Sequence, residues 1–218
     1  MAEVNLLRSL PKTKRNIEKR AEAKNPEIVT IARQYGEMYF DGPREYGYGG
    51  YRYDGRWLPV AKDMISHFGL KPGDRVLDIG CAKGFLVKDL MLACPGLEVF
   101  GLDISEYALH YCEPEVIGRL HLGSADHLPF PDKSFDCVIS LNTIHNFKRH
   151  RAVMAMKEIE RVSKGKSFVQ VDSYLTPEQK DIFESWVLTA EYHDYPDGWL
   201  KVFKEAGYSG DYYWTIVE

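Results

Sequence analysis

In the run Val76-Leu77-Asp78-Ile79-Gly80-Cys81-Ala82-Lys83-Gly84-Phe85-Leu86, a carboxylate precedes two glycines four residues apart. An apolar strand entering such a turn and then a helix lets backbone approach a ligand closely and aims unpaired helix N–H groups at its polar atoms. Further acids, Asp103 and Asp126, follow later apolar runs, and His145 follows another. A histidine, with an unperturbed pKa of about 6.5, can take a proton from an alcohol nucleophile. His145 is therefore a candidate general base, with a backbone-bonding role at a strand-helix junction as its structural alternative.

The spacing narrows the ligand. A dinucleotide fingerprint needs G-x-G-x-x-G/A, but from Gly80 the second and third positions are Ala82 and Phe85. A phosphate-binding P-loop needs glycines five residues apart and a terminal Lys-Ser/Thr, both absent here. The cysteines Cys81, Cys94, Cys112 and Cys137 show no CxxC spacing, which suggests neither a zinc site nor a disulfide scaffold and points to a reduced, cytoplasmic protein.

The elements that must position these residues alternate in type. Short apolar runs at Arg75–Ile79, Leu97–Asp103, Arg119–Leu122, Phe135–Leu141 and Ser167–Asp172 read as strands. Between them, Gly84–Ala93, Ser105–Tyr111 and Arg151–Val162 read as crossover helices of a mostly parallel sheet. Thr176-Pro177-Glu178-Gln179 opens a later helix with a cap, a first-turn proline and a capping-box glutamine. Asp197 caps another, ended by Gly207, and Asp211–Val217 reads as a final strand, expected antiparallel on the sheet edge.

Ahead of the sheet, Asn25-Pro26 starts a helix, and another follows Pro59 with Gly69 as its stop. Tyr35 to Trp57 packs eight aromatics and six glycines into 23 residues, as a lid or substrate-facing loop would, or an aromatic cluster joining the helices to the sheet. The expected organisation is an N-terminal part, 1–70, with helices and this segment, and a ligand-binding core, 71–218, within one compact domain.

The glycine turn, the strand-end acids and their order resemble the class I S-adenosylmethionine-dependent methyltransferases, small-molecule type, from about Val76 to Val171. That family's Asp/Glu-x-Gly-x-Gly-x-Gly is matched by Asp78, Gly80 and Gly84, with Ala82 replacing the middle glycine. The resemblance implies an α/β three-layer Rossmann-like sandwich with a mostly parallel sheet, an antiparallel edge strand and an N-terminal helical cap. It implies S-adenosyl-L-methionine as cofactor, held by Asp78, Gly80, Cys81, Ala82, Gly84, Asp103, Ile104, Ala125, Asp126 and Asn142. Asp103 would accept from both ribose hydroxyls and Asp126 from the adenine amino group. Tyr46, Tyr48, Tyr51, Arg56, Trp57 and Asn146 are the expected acceptor-side residues, with Arg56 also able to hold the methionine carboxylate.

Methyl transfer from a sulfonium is an in-line displacement that needs alignment and dryness rather than a metal, and no Asp–Asp–Asn set for magnesium is visible. The expected reaction is transfer to a hydroxyl, or an amine, of a small molecule such as a sugar or natural-product precursor. The alternatives are an S-adenosylmethionine-binding regulatory protein without catalysis and an RNA or tRNA methyltransferase. The net charge of -4 disfavours a general nucleic-acid binder, leaving seven basic against three acidic residues in Met1 to Lys24 as that reading's support. Apolar runs fall short of the roughly 18 residues of a membrane span, and no signal peptide is visible. A homodimer through the sheet edge is among the arrangements the sequence allows.

Overall fold

The computed structural model describes residues 1–11 and 16–216. Helix α1 (Ile17–Ala23) is capped by the Asn16 side chain, and α2 (Pro26–Ala32) by Asn25, which accepts from the Ile28 N–H ahead of a first-turn proline. A short α3 (Glu37–Phe40) leads into the aromatic segment, and α4 (Leu58–Phe68) stops at Gly69, whose φ of 58° closes the helix in the left-handed region.

The sheet is built from β1 (Arg75–Ile79), β2 (Glu98–Asp103), β3 (Leu120–Leu122), β4 (Cys137–Leu141), β5 (Ser167–Ser173) and β6 (Asp211–Ile216). Their order is β3-β2-β1-β4-β5-β6, so the chain reverses its direction of travel across the sheet between β1 and β4. Such a switch opens a crevice at the carboxyl ends of the strands.

Alternation along the strands assigns the two faces. Val76, Val99, Ile139 and Phe168 join Val60, Met64 and Leu90 of α4 and α5 (Phe85–Ala93) in one buried cluster. Leu77, Ile79, Val138, Val169 and Val171 join residues of two helices beyond α6 (Glu106–His110) on the other face. These are α7 (Arg149–Val162), which supplies Met156 and Ile159, and α9 (Pro196–Ala206), which follows α8 (Pro177–Trp186) and supplies Trp199 and Phe203.

One expectation is corrected here: the edge strand is not antiparallel. β6 runs parallel to β5, with Phe168 opposite Asp211 and Ser173 opposite Ile216. The reason is the connection, since α9 works as a crossover that carries the chain back to the amino end of the sheet, where Gly207 (φ 69°) ends the helix. The outer side of β6 is taken up by the first residues of the chain. Tyr212 N–H donates to Ala2 O at 3.0 Å and Val4 N–H donates to Tyr212 O at 2.9 Å.

Of the basic N-terminal segment, Lys12 to Arg15 lie outside the described residues. Leu6 is buried in the sheet core, and Arg20 donates to the carbonyls of Arg44 and Gly47 at 2.6 Å. Among the described residues, no helix is long and apolar enough to cross a membrane.

Candidate functional site

At the end of β1 the chain turns over the neighbouring strand: Gly80 N–H donates to Leu102 O at 2.7 Å and Cys81 N–H to the same carbonyl at 3.2 Å. Gly80 has φ 81°, and a Cβ there would run into the Thr143 side chain, so both backbone and space require glycine. Gly84 (φ 78°) caps α5 against Val116. Between them Ala82 holds φ 49°, the left-handed conformation a glycine would adopt without strain.

Asp103 closes this turn from the end of β2. Its Oδ2 accepts from Ala82 N–H and its Oδ1 from Ser105 N–H, each at 2.8 Å. Burial pushes its carboxyl up, and those N–H donors oppose the rise. Asp78, 4% exposed, is pushed up to about 7 by burial and then by the charge of Asp103. Beyond β4, Asn142 takes φ 53°, and its N–H donates to the Gln170 side chain at 2.9 Å.

These residues wall one cavity of 340 Å³ at the carboxyl ends of β1, β2 and β4. Of the residues expected to hold a cofactor, Asp78, Gly80, Cys81, Ala82, Asp103, Ile104, Ala125 and Asn142 line it together. Of those expected on the acceptor side, Tyr48, Tyr51, Trp57 and Asn146 line it too, which puts part of the aromatic segment directly over the glycine turn.

Gly84, Asp126, Tyr46, Arg56 and His145 are not among the lining residues. Asp126 is held by Arg151, whose Nε and a terminal nitrogen donate at 2.5 and 3.1 Å, and by the Ser124 hydroxyl at 2.5 Å. Burial pushes that carboxyl up, but these donors prevail and hold it below the usual range. Arg56 is paired with Asp54 two residues away, at 2.5 Å, on a partly exposed turn. Tyr46 packs against the cluster of Ile28, Ala32 and Leu188.

His145 sits in a short 3-10 turn, Ile144–Asn146, with 4% exposure. Its Nδ1 accepts the Asp172 N–H at 3.1 Å, while its carbonyl accepts from Glu191 and Tyr192 N–H at 2.9 and 3.1 Å. Burial pushes its pKa down, with the charge of Asp172 opposing. The ring is thereby kept neutral and committed to backbone.

The cavity also has lining residues that sequence reasoning missed: Arg33, Tyr35, Tyr39, Phe147, Arg151, Thr189 and Glu191. Arg33 follows α2 and donates to Leu188 O and Ala190 O at 3.3 and 3.2 Å, with Glu191 Oε1 at 3.5 Å. Tyr35 has φ 50°, and the Ser105 hydroxyl fixes its carbonyl at 2.5 Å. Burial pushes the Tyr35 and Tyr39 phenols up, so both stay protonated at neutral pH. For Tyr35 and Tyr39 the signal was the aromatic density of the segment. For Thr189 and Glu191 no local motif exists, because the docking of their loop on the His145 carbonyl and on Arg33 brings them here.

Residues 77–170 match the model of a methyltransferase domain family. The demethylmenaquinone methyltransferase of Thermotoga maritima is 28% identical over 182 residues, covering 71% of this chain and 77% of that protein. That of Symbiobacterium thermophilum is 35% identical over 92 residues, covering 38% and 37%. The chain spans between 35% and 49% of the length of several further curated relatives. A chain from the Haloferax volcanii complex of the Trm112 methyltransferase activator with a methyltransferase shares the fold, with a TM-score of 0.57 at 23% identity over 69% of this chain and 67% of that one. The glycine turn and the strand-end acids around one cavity lie within the matched segment, and residues 77–170 form a domain similar to the methyltransferase domain family.

Proposed function

We propose that this protein methylates a small aromatic molecule at a hydroxyl or amine, using S-adenosylmethionine bound between the glycine turn and Asp103. The observation that carries the reading is one cavity lined by strand-end acids and glycine-turn backbone and also by aromatic rings, an arginine and a further carboxylate. The glycine-turn backbone at Gly80 and Ala82 and the Asp103 carboxylate on the wall suit the ribose and backbone contacts such a cofactor needs. When bound, the cofactor supplies an electrophilic methyl group on a sulfonium.

The residues of the chain then bind, orient and exclude water. Tyr48, Tyr51 and Trp57 cover the glycine turn, which favours a dry, aligned displacement. Tyr35, Tyr39 and Phe147 line the cavity with aromatic surface suited to an aromatic acceptor, in keeping with the quinone-type acceptor in the names of the Thermotoga and Symbiobacterium relatives. The proton of a hydroxyl or amine acceptor passes to Glu191, a carboxylate lining the same cavity, with Arg33 beside it. His145 serves as a positioning residue, since its carbonyl seats the Glu191 backbone and its ring is engaged by Asp172.

Calorimetric titration with S-adenosylmethionine and S-adenosylhomocysteine, alongside Asp103→Asn, tests the cofactor half. Micromolar binding that the variant loses is expected, and no binding by the intact protein would sink the reading. Labelled methyl transfer to a panel of hydroquinones, phenols and arylamines tests the acceptor half. Transfer to RNA alone, or tight cofactor binding with no transfer to either class, would replace it with one of the alternatives.

A further inference from the structure

Lys83 lies in the glycine turn, between Ala82 and Gly84, yet it is not among the cavity-lining residues and its buried side chain reaches instead to the partly exposed Asp41. Its ammonium meets Asp41 Oδ2 at 2.5 Å, and the Lys83 side chain is only 9% exposed. Asp41 follows α3 at the start of the aromatic segment, and its carboxylate also accepts from the Tyr107 hydroxyl at 2.8 Å and from the Tyr51 N–H at 3.0 Å. One carboxylate thus bonds the glycine turn, α6 and the aromatic segment.

Both walls that this carboxylate joins belong to the cavity. Ala82, next to Lys83, lines one side. Tyr51 lines the other, and its ring stacks on Phe85, the first residue of α5, at 4.5 Å between centroids and 13° between planes. Removing Asp41 leaves a buried ammonium without its counter-ion and the Tyr51 N–H without its acceptor, a larger perturbation than loss of a surface ion pair.

We propose that Asp41 is a positioning residue that clamps the segment Gly36 to Trp57 onto the glycine turn through Lys83, so that the cover over the cofactor and the turn beneath it move as one unit. The proposal rests on the reading that this cavity takes S-adenosylmethionine. The clamp sets the affinity for the cofactor and its product without touching either, because it fixes Tyr51 on one wall and the Ala82 backbone on the other.

The test uses the full-length protein with S-adenosylhomocysteine as the probe, in Asp41→Asn, Lys83→Met, Lys83→Arg and the Asp41→Asn/Lys83→Met double variant. Calorimetry should show affinity reduced at least about tenfold in each of the first two, largely kept in Lys83→Arg, and no worse in the double variant than in the weaker single one. Hydrogen exchange should show ligand-induced protection of the Gly36 to Trp57 amides in the intact protein and its loss in Lys83→Met. A merely structural pair would lower the melting temperature and leave ligand-induced protection intact. Should Asp41→Asn fail to fold, Lys83→Met decides, because the Asp41 carboxylate is 28% exposed and keeps two other donors. Folded variants that bind within twofold of the intact protein, or a double variant whose losses add, overturn the clamp. An intact protein that binds neither S-adenosylmethionine nor its product instead overturns the cofactor reading beneath it.

Discussion

The Ala82 N–H donates to Asp103 Oδ2 at 2.8 Å from a backbone held at φ 49°. This one bond ties the turn after β1 to the end of β2, and a residue with a Cβ makes it where a glycine would meet less resistance.

Ala82→Gly should therefore relieve left-handed strain of roughly 1–2 kcal/mol while adding unfolded-chain entropy of roughly 0.4–1 kcal/mol, for a net gain between about zero and about 1.6 kcal/mol. Ala82→Val, β-branched in the same conformation, should lose about 2 kcal/mol or more and weaken S-adenosylhomocysteine binding. Urea unfolding with calorimetry checks both. A valine variant as stable as the parent would show that the turn relaxes freely.

Asp103→Asn keeps one backbone acceptor but removes the charge that ribose hydroxyls would meet. Affinity for S-adenosylhomocysteine should fall about 10- to 100-fold, in line with the loss of charge-assisted hydrogen bonds, while the far-UV circular dichroism stays unchanged. Unaltered affinity would place the ligand elsewhere.

Asp78 titrates near 7 in the folded protein against 3.8 as its ordinary value, so the folded state keeps a proton that the unfolded state releases. Its contribution to stability is full below about pH 4 and is lost as the pH rises through about 7. The stability difference between the parent and Asp78→Asn should follow that window. Binding of a sulfonium cation beside Asp78 should draw its proton off, so affinity for S-adenosylmethionine should rise from about pH 6 to about pH 8, and less so in Asp78→Asn. Calorimetry in buffers of different ionisation enthalpy reads the released proton directly, and zero release would contradict the assignment.

His145 is held neutral by burial, with its pKa below the ordinary 6.5. Its contribution to stability is present above that ordinary value and is lost as the pH falls through the depressed one. His145→Ala leaves the Asp172 N–H unpaired and should cost about 1–3 kcal/mol, while methyl transfer by the folded variant keeps the parent's pH profile. A loss of 10²-fold or more in kcat with cofactor affinity retained would instead restore the ring as the base.

The residues legible in the sequence were those whose chemistry is local. Asp78, Gly80 and Asp103 sit where a strand ends and a turn begins, and alternation places strand ends without knowledge of the partner strands. The direction of β6 was not legible, because a strand of Tyr, Trp, Thr and Ile pairs equally well either way, and α9 sets its heading. Asp126 and His145 were found as residue types, but their partners, Arg151 and the Asp172 backbone, lie 25 and 27 positions further on. Arg33 and Glu191 meet across 158 positions, and no periodicity announces a pairing of that kind.

The strap of residues 2–4 along β6 bears on the order in which the molecule assembles. Glu3 pairs with Tyr212, a contact between segments separated by nearly the whole described chain. Loop closure over such a span comes late in folding, since its entropy is lost before the contact rewards it. A ribosome would release the first residues long before their docking strand exists, so Leu6 waits in solvent, or in the grip of a chaperone, until β6 arrives. Ala2 and Val4 then pair with Tyr212 and cover the edge to which another chain could otherwise add.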